Sequence, residues 1–299
     1  MSAEIAADTT RRSESGKGLL VMGLGMFLFS AVDATAKFLT SDLHPIQIVW
    51  VRQLGLLMGA VFLLMRYGPG LLRTAHPWLQ VLRGGVAVCS ATLFIAAIAF
   101  VPLADAVAIS FVAPFMVTLL GALVLREPVG RRRWAAVCIG FVGALIIIRP
   151  GLGMVHPAAV LVVLAAFFFA LRQIISRALS DTDRTATTVI YTALVSTALL
   201  TGPLIFVWQT PTSEQALLLI AIAIVAAVAE VCVIKALELA MAVVVTPMHY
   251  TLILWGTLYG WLVFDQLPDG WTWLGTAIIV VTGAYALRRE YLQSKAARS

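Results

Sequence analysis

Residues 250–290 read YTLILWGTLYGWLVFDQLPDGWTWLGTAIIVVTGAYALRRE. The stretch contains two long apolar runs, joined by a short polar turn that holds Pro268 and Gly270. A helix needs about 20 apolar residues to cross the hydrocarbon core of a bilayer, and proline and glycine disturb a helix least at its ends. The stretch therefore predicts two membrane-spanning helices connected by a tight turn.

The same pattern continues through most of the chain. Hydrophobic residues make up 61% and charged residues 12% of the 299 residues, and the mean hydropathy of +0.97 excludes a soluble globular domain. The sequence thus predicts an all-α integral membrane protein with ten transmembrane helices. The ten runs lie at about residues 18–40, 45–66, 78–101, 103–125, 132–149, 157–179, 186–208, 214–239, 241–264 and 271–288.

The positive charges predict the orientation of these helices. If the N-terminus is cytoplasmic, 18 of the 21 Lys and Arg residues lie on or near the cytoplasmic side, and only Lys37, Arg52 and Arg149 lie in the other half of the membrane. Short cytoplasmic loops are enriched in Lys and Arg, so both termini are expected in the cytoplasm. Residues 1–16 predict a short disordered cytoplasmic tail and residues 290–299 a second cytoplasmic tail. The net charge of +6 fits basic loops beside anionic lipid, and no nucleic-acid partner is expected.

A weak internal repeat of about 139 residues divides the chain into two halves. Residues 102–114 (PLADAVAISFVAP) and 124–148 (VLREPVGRRRWAAVCIGFVGALIII) match residues 239–251 (LAMAVVVTPMHYT) and 261–287 (WLVFDQLPDGWTWLGTAIIVVTGAYAL). Both copies have an acidic residue near the end of a span, Glu127 or Asp265, followed by a Pro-containing turn and a Trp. Because each half has five helices, the second half enters the membrane inverted relative to the first, as in many secondary transporters. Chance similarity between Leu-, Ala- and Val-rich spans is the alternative.

The ten-helix plan, the span that ends in LREP at residues 125–128 and the stretch at 250–290 resemble the EamA-type drug/metabolite transporter superfamily. The resemblance covers residues 18–288. It implies a 5+5 inverted-topology repeat in a bacterial inner membrane, with a first EamA repeat at 17–150 and a second, inverted one at 156–289. It also implies a central cavity lined mainly by the first, third, fourth, sixth, eighth and ninth spans. The last fifty residues most resemble the branch with S-adenosylmethionine-uptake-like and riboflavin-transporter-like permeases, although Asp265 stands where the second repeat more often has Glu.

Charged residues inside the first two spans are the first candidate site. A charge within a span is costly unless it is paired or hydrated. Asp33 and Arg52 fall at similar depths, since a helix rises about 1.5 Å per residue, and Lys37 lies one turn after Asp33 on the same face. Two interpretations stay open: a charged cluster that binds substrate or gates the outer side, and a structural ion pair that joins the two helices.

Glu230 and His249 form a second candidate site, at equal depth in the eighth and ninth spans. Glu230 is the foremost candidate for substrate binding or proton coupling, because the charge of a carboxyl group inside a membrane depends on its partners. His249 titrates near neutral pH and could share that role. A neutral hydrogen-bonded pair that only fastens the bundle is the alternative.

Arg172 corresponds to Asp33 in the repeat, so an acid in one half and a base in the other would suit a zwitterionic substrate. Gln173 beside it is a candidate uncharged contact. The alternative is that Arg172 extends to the membrane surface. In the ninth span, Tyr250 and Trp255 either pack the bundle or form an aromatic wall for a planar or cationic ligand.

Pro114 and Pro247 lie inside the fourth and ninth spans, where each predicts a helix kink or hinge. Carbonyl groups freed near Ser110 are candidate substrate ligands, and static kinks are the alternative. The pairs Gly55/Gly59 and Gly256/Gly260 favour close helix packing. A monomer and a homodimer both stay open.

These features predict a secondary-active transporter in the lipid bilayer. By alternating access it would move a small polar or amphipathic metabolite, such as an amino acid or derivative, an S-adenosylmethionine-like compound or a vitamin. Protons are a candidate coupling ion. The sequence has no Walker A, GxSxG or HExxH motif, so no enzyme activity, catalytic residue, metal site or cofactor is expected. The alternatives are a proton-coupled multidrug or toxic-cation exporter of the same fold and, more distantly, an intramembrane enzyme.

Overall fold

The computed structural model describes residues 2–124, 130–149, 156–179, 182–240 and 245–296. The LREP segment with Glu127 lies outside these residues. Across the described ranges the chain is helical, without strands. The 3₁₀ helices Pro69–Leu72 and Thr246–Tyr250 precede α3 and α10. The α-helices are α1 (Ser2–Leu39), α2 (Pro45–Tyr67), α3 (Pro77–Ile98), α4 (Leu103–Ser110), α5 (Ala113–Val124), α6 (Arg131–Ile148), α7 (Ala159–Leu179), α8 (Thr185–Val207), α9 (Ser213–Leu239), α10 (Thr251–Phe264) and α11 (Gly270–Ala296).

Local sequence explains where several helices begin. Pro45 and Pro77 are the first residues of α2 and α3, a position at which proline sacrifices no intrahelical hydrogen bond. Thr212 and Gln215 form a capping box at the start of α9: the Gln215 N–H donates to the Thr212 hydroxyl, and the Thr212 N–H donates to the Gln215 side chain. Such caps satisfy backbone groups that a helix end leaves without partners.

The first and last helices are longer than the spans predicted within them. α1 begins at Ser2 and α11 ends at Ala296; the two tails expected over residues 1–16 and 290–299 stay predictions. Once a span has formed, each added residue costs little because nucleation is already complete. Good helix formers such as Ala3, Glu4 and Ala6 favour this extension.

The outside of the helix bundle is apolar. Among the described residues, seven segments are long and apolar enough to cross a membrane. Large apolar side chains lie on the outside of the bundle, including Phe206 (89% exposed) and Met65 (83% exposed), which suits lipid and not water. The chain is therefore a multi-pass membrane protein. The seven segments are Gly16–Leu39, Pro45–Tyr67, Pro77–Ile98, Leu103–Val124, Ala159–Leu179, Thr185–Val207 and Ser213–Leu239, and Trp134–Ile148 is a shorter apolar helix.

The helices pack in a pattern that is conserved when the two halves of the chain are exchanged. α1 packs on α9 as α7 packs on α3, and α2 packs on α9 as α8 packs on α3. α1 packs on α10 as α7 packs on α4 and α5. The pairs α2–α8, α4–α10 and α6–α11 each join a helix to its counterpart in the other half. Each of these interfaces is thus either matched by an equivalent interface after the exchange or is mapped onto itself by it.

Glycines allow the closest of these contacts. In the α6–α11 pair, a Cβ added to Gly143 would lie 3.0 Å from the carbonyl oxygen of Gly275, and one added to Gly275 would lie 2.6 Å from that of Gly143. In the α2–α9 pair, a Cβ on Gly55 would collide with the carbonyl oxygen of Ala223. Small residues at such crossings let helix backbones approach, which is how helices gain packing contacts inside a membrane.

Polar contacts join loops of the two halves at opposite ends of α2. After α7, the Asp183 carboxylate accepts hydrogen bonds from the Thr74 hydroxyl and from Nε2 of Gln80, the latter at 2.7 Å. After α1, the Asp42 carboxylate accepts one from Nε2 of Gln215 at 3.2 Å. Gln80 and Gln215 lie in the first turns of α3 and α9, which correspond in the two halves. Each end of the bundle therefore has an Asp–Gln contact between halves, and the one at Asp183 has more partners.

Gly55→Ala is expected to destabilise the protein, and Gly59→Ala to leave its stability unchanged or raised. The new methyl group at Gly55 meets the backbone of Ala223, whereas nothing lies within 4 Å of a Cβ on Gly59. Overpacking costs about 1–3 kcal/mol, while Ala is favoured over Gly inside a helix by about 0.5–1 kcal/mol. Thermal unfolding of the purified variants measures the difference, and equal midpoints would contradict a close α2–α9 contact.

Asp183→Asn is expected to lower the unfolding temperature at neutral pH. Desolvation raises the pKa of the Asp183 carboxyl group, but hydrogen bonds from Thr74, Gln80 and the Ala75 N–H outweigh it and hold the pKa below the ordinary 3.8. An acid with a lowered pKa stabilises the fold above its ordinary pKa and loses that contribution as the pH falls through the lowered value. The difference between wild type and variant should be complete at pH 7 and should close below about pH 4. A difference that grows on acidification would refute this role.

Candidate functional site

Charged side chains from five helices lie within the spans. They are Asp33 of α1, Arg52 of α2, Arg83 of α3, Arg172 of α7 and Glu230 of α9, and all five are partly buried. A charge at the centre of a spanning helix costs about 2.5–3.5 kcal/mol on insertion scales, so such groups are retained where they have a role. These five residues, called the charged cluster below, are the candidate functional site.

An ion pair within the charged cluster joins α1 to α2. Nη1 of Arg52 lies 3.8 Å from Oδ1 of Asp33. The guanidinium group also lies 5.7 Å from the ring centroid of Phe29, within the range of a cation–π contact. The structure thus brings Asp33 and Arg52 together, which their similar depth allows. Both interpretations of the pair, a binding site and a structural ion pair, stay open.

Arg83 is a member of the charged cluster that the sequence did not single out. Its Nε donates to Oγ of Ser176 on α7 at 2.6 Å, and its Nη1 donates to Oγ1 of Thr192 on α8. The sequence grouped Arg83 with the basic residues of the cytoplasmic side because it lies in the first two turns of its span. Its place inside an apolar run was the available signal; its two hydroxyl partners come from the other half of the chain and follow from tertiary packing alone.

Arg172 lies between aromatic and charged neighbours. Its guanidinium carbon is 4.7 Å from the ring centroid of Phe169, and its Nε is buried without a hydrogen-bond partner in the described residues. Its charge interacts with those of Glu230 and Arg52. Arg172 is thus part of the charged cluster and is not a surface arginine. Gln173, next to it, is exposed.

The charge of Glu230 acts at a distance on those of Arg83 and Arg172, without an ion pair to either arginine within 4 Å in the described residues. The sequence did not anticipate this relation. His249 is half-buried in the 3₁₀ helix before α10, and its pairing with Glu230 stays a prediction. On the same helix as Glu230, Lys235 and Glu238 form an exposed ion pair, with Nζ and Oε2 2.7 Å apart.

Lys37 has a different environment from the one expected beside Asp33. Its Nζ donates to the carbonyl oxygens of Ile98, at 2.6 Å, and Val101, at 2.7 Å, and it lies 5.4 Å from the ring centroid of Phe264. The last carbonyl groups of a helix have no intrahelical donors and carry partial negative charge, so a cation binds them well. Lys37 therefore caps the C-terminal end of α3 and forms no ion pair within 4 Å in the described residues.

A second polar group lies near Lys37, at the ends of α4, α6 and α11. Nη2 of Arg149 and Oδ2 of Asp269 form an ion pair at 2.7 Å. Desolvation raises the pKa of Asp269, but hydrogen bonds from Thr272 and Arg149 together with the charge of Arg149 lower it overall. The buried Asp105 interacts with the charges of Asp269, Arg149 and Lys37. These contacts fasten one end of the bundle by joining helices from both halves.

The aromatic residues of the ninth span form two separate groups. Trp255 lies edge-on to Phe27 of α1 at 5.1 Å between ring centroids, and Tyr259 lies 5.7 Å from the same ring. Tyr250 instead stacks on Phe111 at 4.9 Å. Tyr250 and Trp255 thus have different ring partners, and both interpretations of these residues, bundle packing and an aromatic wall, stay open.

Both proline-containing spans are discontinuous. α4 ends at Ser110 and α5 begins at Ala113, with Pro114 in its first turn. In the ninth span, Pro247 lies in the 3₁₀ helix that precedes α10. Proline cannot donate the backbone hydrogen bond that would continue a helix, which accounts for both interruptions. The Ser110 hydroxyl donates to the Val107 carbonyl oxygen at 2.7 Å, so it caps its own helix.

The chemistry that the charged cluster offers is binding. Guanidinium groups beside a carboxylate, in apolar surroundings, hold polar or charged solutes by ion pairs and charge-assisted hydrogen bonds. Within the described ranges, no group of three or more His, Cys, Asp or Glu side chains is placed to hold a metal ion.

Comparison with known proteins gives one family. The model of the EamA-like transporter family matches residues 16–149 and again residues 156–287. A solved crystal structure matches the fold with a TM-score of 0.63 at 17% identity, covering 92% of this chain and 98% of the other.

Three of the curated relatives that this chain resembles are transporters of different small molecules. The chain is 35% identical to a riboflavin transporter of Vibrio cholerae, over 76% of this chain and 77% of the relative. It is 33% identical to the pseudopaline exporter CntI of Pseudomonas aeruginosa, over 88% and 93%. It is 25% identical to an S-adenosylmethionine uptake transporter of Rickettsia bellii, over 90% and 94%. Each relative is named for the movement of a small metabolite, and the names point to transporters and not to enzymes.

A double-mutant cycle is expected to separate the two interpretations of Asp33 and Arg52. Asp33→Asn should destabilise the protein by leaving a partly buried arginine without its partner, and adding Arg52→Gln should restore part of the loss. Thermal unfolding and solute exchange are measured on all three variants. If the pair is structural, the double variant regains both stability and exchange; recovered stability without exchange identifies a binding pair.

Proposed function

Because the chain belongs to the EamA-like transporter family, we propose that it is a secondary-active transporter that moves a small polar or amphipathic metabolite across a bacterial inner membrane by alternating access. The charged cluster carries this proposal. Five ionisable side chains, contributed by helices of both halves, lie among apolar spans that offer them little solvation. Such groups in a membrane bundle mark solute and ion pathways.

The proposed architecture is a 5+5 inverted repeat, with repeats at 17–150 and 156–289 and both termini in the cytoplasm. The family model matches the chain twice, at residues 16–149 and 156–287, and helix packing is conserved on exchange of the halves. Both observations support the repeat. The basic residues near one end of the bundle support the orientation.

The proposed motion is rocking of one half against the other around the charged cluster. The interruptions beside Pro114 and Pro247 occur in corresponding spans, and discontinuous helices of this kind are common in secondary transporters. We assign them the role of hinges. The Asp42–Gln215 and Asp183–Gln80 contacts, at opposite ends of α2, would open and close alternately.

The proposed substrate is a metabolite and not a toxic cation. The curated relatives are named for riboflavin, S-adenosylmethionine and pseudopaline, which supports the class without selecting a compound. A cation exporter would need a carboxylate free to bind a cation. Glu230 instead interacts with the charges of Arg83 and Arg172, and these arginines repel a solute that carries only positive charge.

Glu230 is the proposed coupling residue, with His249 as a second candidate. The carboxylate offsets the positive charge of Arg83 and Arg172, so binding of a proton to Glu230 would leave both guanidinium groups available to a solute. A proton and a solute would then act on the same two arginines. Coupling requires this kind of shared interaction, since a ligand shifts a conformational equilibrium only through differential affinity.

Glu230→Gln is expected to abolish the response of transport to a pH gradient while solute exchange at equal pH continues, because an amide carries no proton. Counterflow and gradient-driven uptake in proteoliposomes, with labelled amino acids, S-adenosylmethionine, riboflavin and a quaternary ammonium compound, measure both properties. Glu238→Gln is the matched control on the same helix, where the carboxylate is exposed. Gradient-driven uptake by Glu230→Gln would rule out the coupling role. Unsaturable flux in the wild type would indicate a channel instead.

A further inference from the structure

The charged cluster has an excess of positive charge. Three arginines, Arg52, Arg83 and Arg172, face two carboxylates, Asp33 and Glu230. The other ionisable residues described near one end of the bundle are balanced, since Lys37 and Arg149 accompany Asp105 and Asp269. The charged cluster therefore has a net positive charge that the group around Lys37 and Arg149 does not have. An uncompensated cation among apolar helices is costly, and an anionic ligand would remove that cost.

Arg172 has bonding capacity that the protein does not use. Its Nε is buried, and no acceptor for it exists among the described residues. A buried donor without an acceptor is unfavourable, and most buried donors have one. Phe169 covers one face of the guanidinium group. A ligand would therefore bind to the N–H donors at the edge of that group.

Arg83 is held in place by uncharged partners. Its bonds to the hydroxyl groups of Ser176 and Thr192 fix the guanidinium group without neutralising it, because hydroxyl groups carry no charge. Ser176 in turn donates to the backbone carbonyl oxygen of Arg172 at 2.7 Å. Ser176 thus ties the Arg83 side chain to the α7 backbone at Arg172, which restrains the Arg83 guanidinium group and reduces the entropy that it loses on binding.

From this geometry we infer that Arg83 and Arg172 together bind a carboxylate of the transported solute, so that the substrate class is a metabolite that carries a carboxylate. Guanidinium groups match the planar, bidentate shape of a carboxylate. Glu230 occupies the arginines electrostatically when the solute is absent and competes with the solute for them. This inference rests on the proposed transport function and names the chemical group that the charged cluster recognises.

The test uses matched probes that differ only in the carboxylate. N-acetyl-L-tryptophan and S-adenosylmethionine are each compared with their carboxamides, and riboflavin serves as a probe without a carboxylate. Binding is followed by thermal stabilisation of the purified full chain, and exchange by counterflow in proteoliposomes. At least one carboxylate should bind and exchange, and its carboxamide should bind about tenfold or more weakly.

Variants then assign the binding to the two arginines. Arg172→Gln and Arg83→Gln should each weaken binding of the carboxylate about tenfold or more, with little effect on its carboxamide, and Arg172→Lys should retain part of the affinity. Arg73→Gln, an exposed arginine between α2 and α3, is the matched control and should bind as the wild type does. Glu230→Gln should bind the carboxylate as tightly or more tightly, since a competing negative charge is removed.

Three outcomes would overturn the inference. They also show whether the proposed transport function still holds. Exchange of riboflavin alone, unchanged in Arg172→Gln, would retain the transporter and exclude the carboxylate site. Loss of carboxylate binding in Glu230→Gln at an unchanged unfolding temperature would show that Glu230 holds the solute. A folded wild-type protein that binds none of the carboxylates would exclude the inference, and if it also exchanges no other probe, the proposed function fails as well.

Discussion

The cost of placing charge among apolar helices governs the arrangement of this bundle. Asp33, Arg83, Arg172 and Glu230 lie in spans whose remaining side chains offer no solvation, so each must find partners on other helices. The partners come from across the chain: Arg52 for Asp33, and Ser176 and Thr192 for Arg83. Each such contact fixes the relative depth and rotation of two helices. The charged side chains therefore favour the helix packing in which they have partners.

Glycine contacts determine how closely the two halves approach. Gly143 and Gly275 place the α6 and α11 backbones in direct contact, and Gly55 does the same for α2 and α9. Inside a membrane, helices gain little from the hydrophobic effect and depend on close packing and hydrogen bonds. In the proposed motion these glycine contacts stay rigid, and the fourth and ninth spans, which contain Pro114 and Pro247, absorb the movement.

The identity of the partners of Glu230 changes the functional interpretation. A carboxylate alone in a membrane bundle would favour a cationic solute, whereas a carboxylate beside two arginines acts as their counter-ion. In the proposed mechanism the site is then positive overall, and Glu230 regulates its availability. The aromatic residues Trp255 and Tyr250 have different ring partners, Phe27 and Phe111, so their contacts do not select between the two interpretations.

The sequence by itself determined the helical membrane fold, most helix boundaries, the family resemblance and the depth relation of Asp33 and Arg52. These follow from local properties: apolar length, prolines at helix ends and a rise of about 1.5 Å per residue. It did not identify Arg83 as a cluster member, the capping of α3 by Lys37 or the arginine partners of Glu230. Those depend on how helices far apart in sequence rotate toward one another, as with Lys37 and the carbonyl group of Val101. Rotation is set by packing between helices, so only the tertiary structure decided which charges meet.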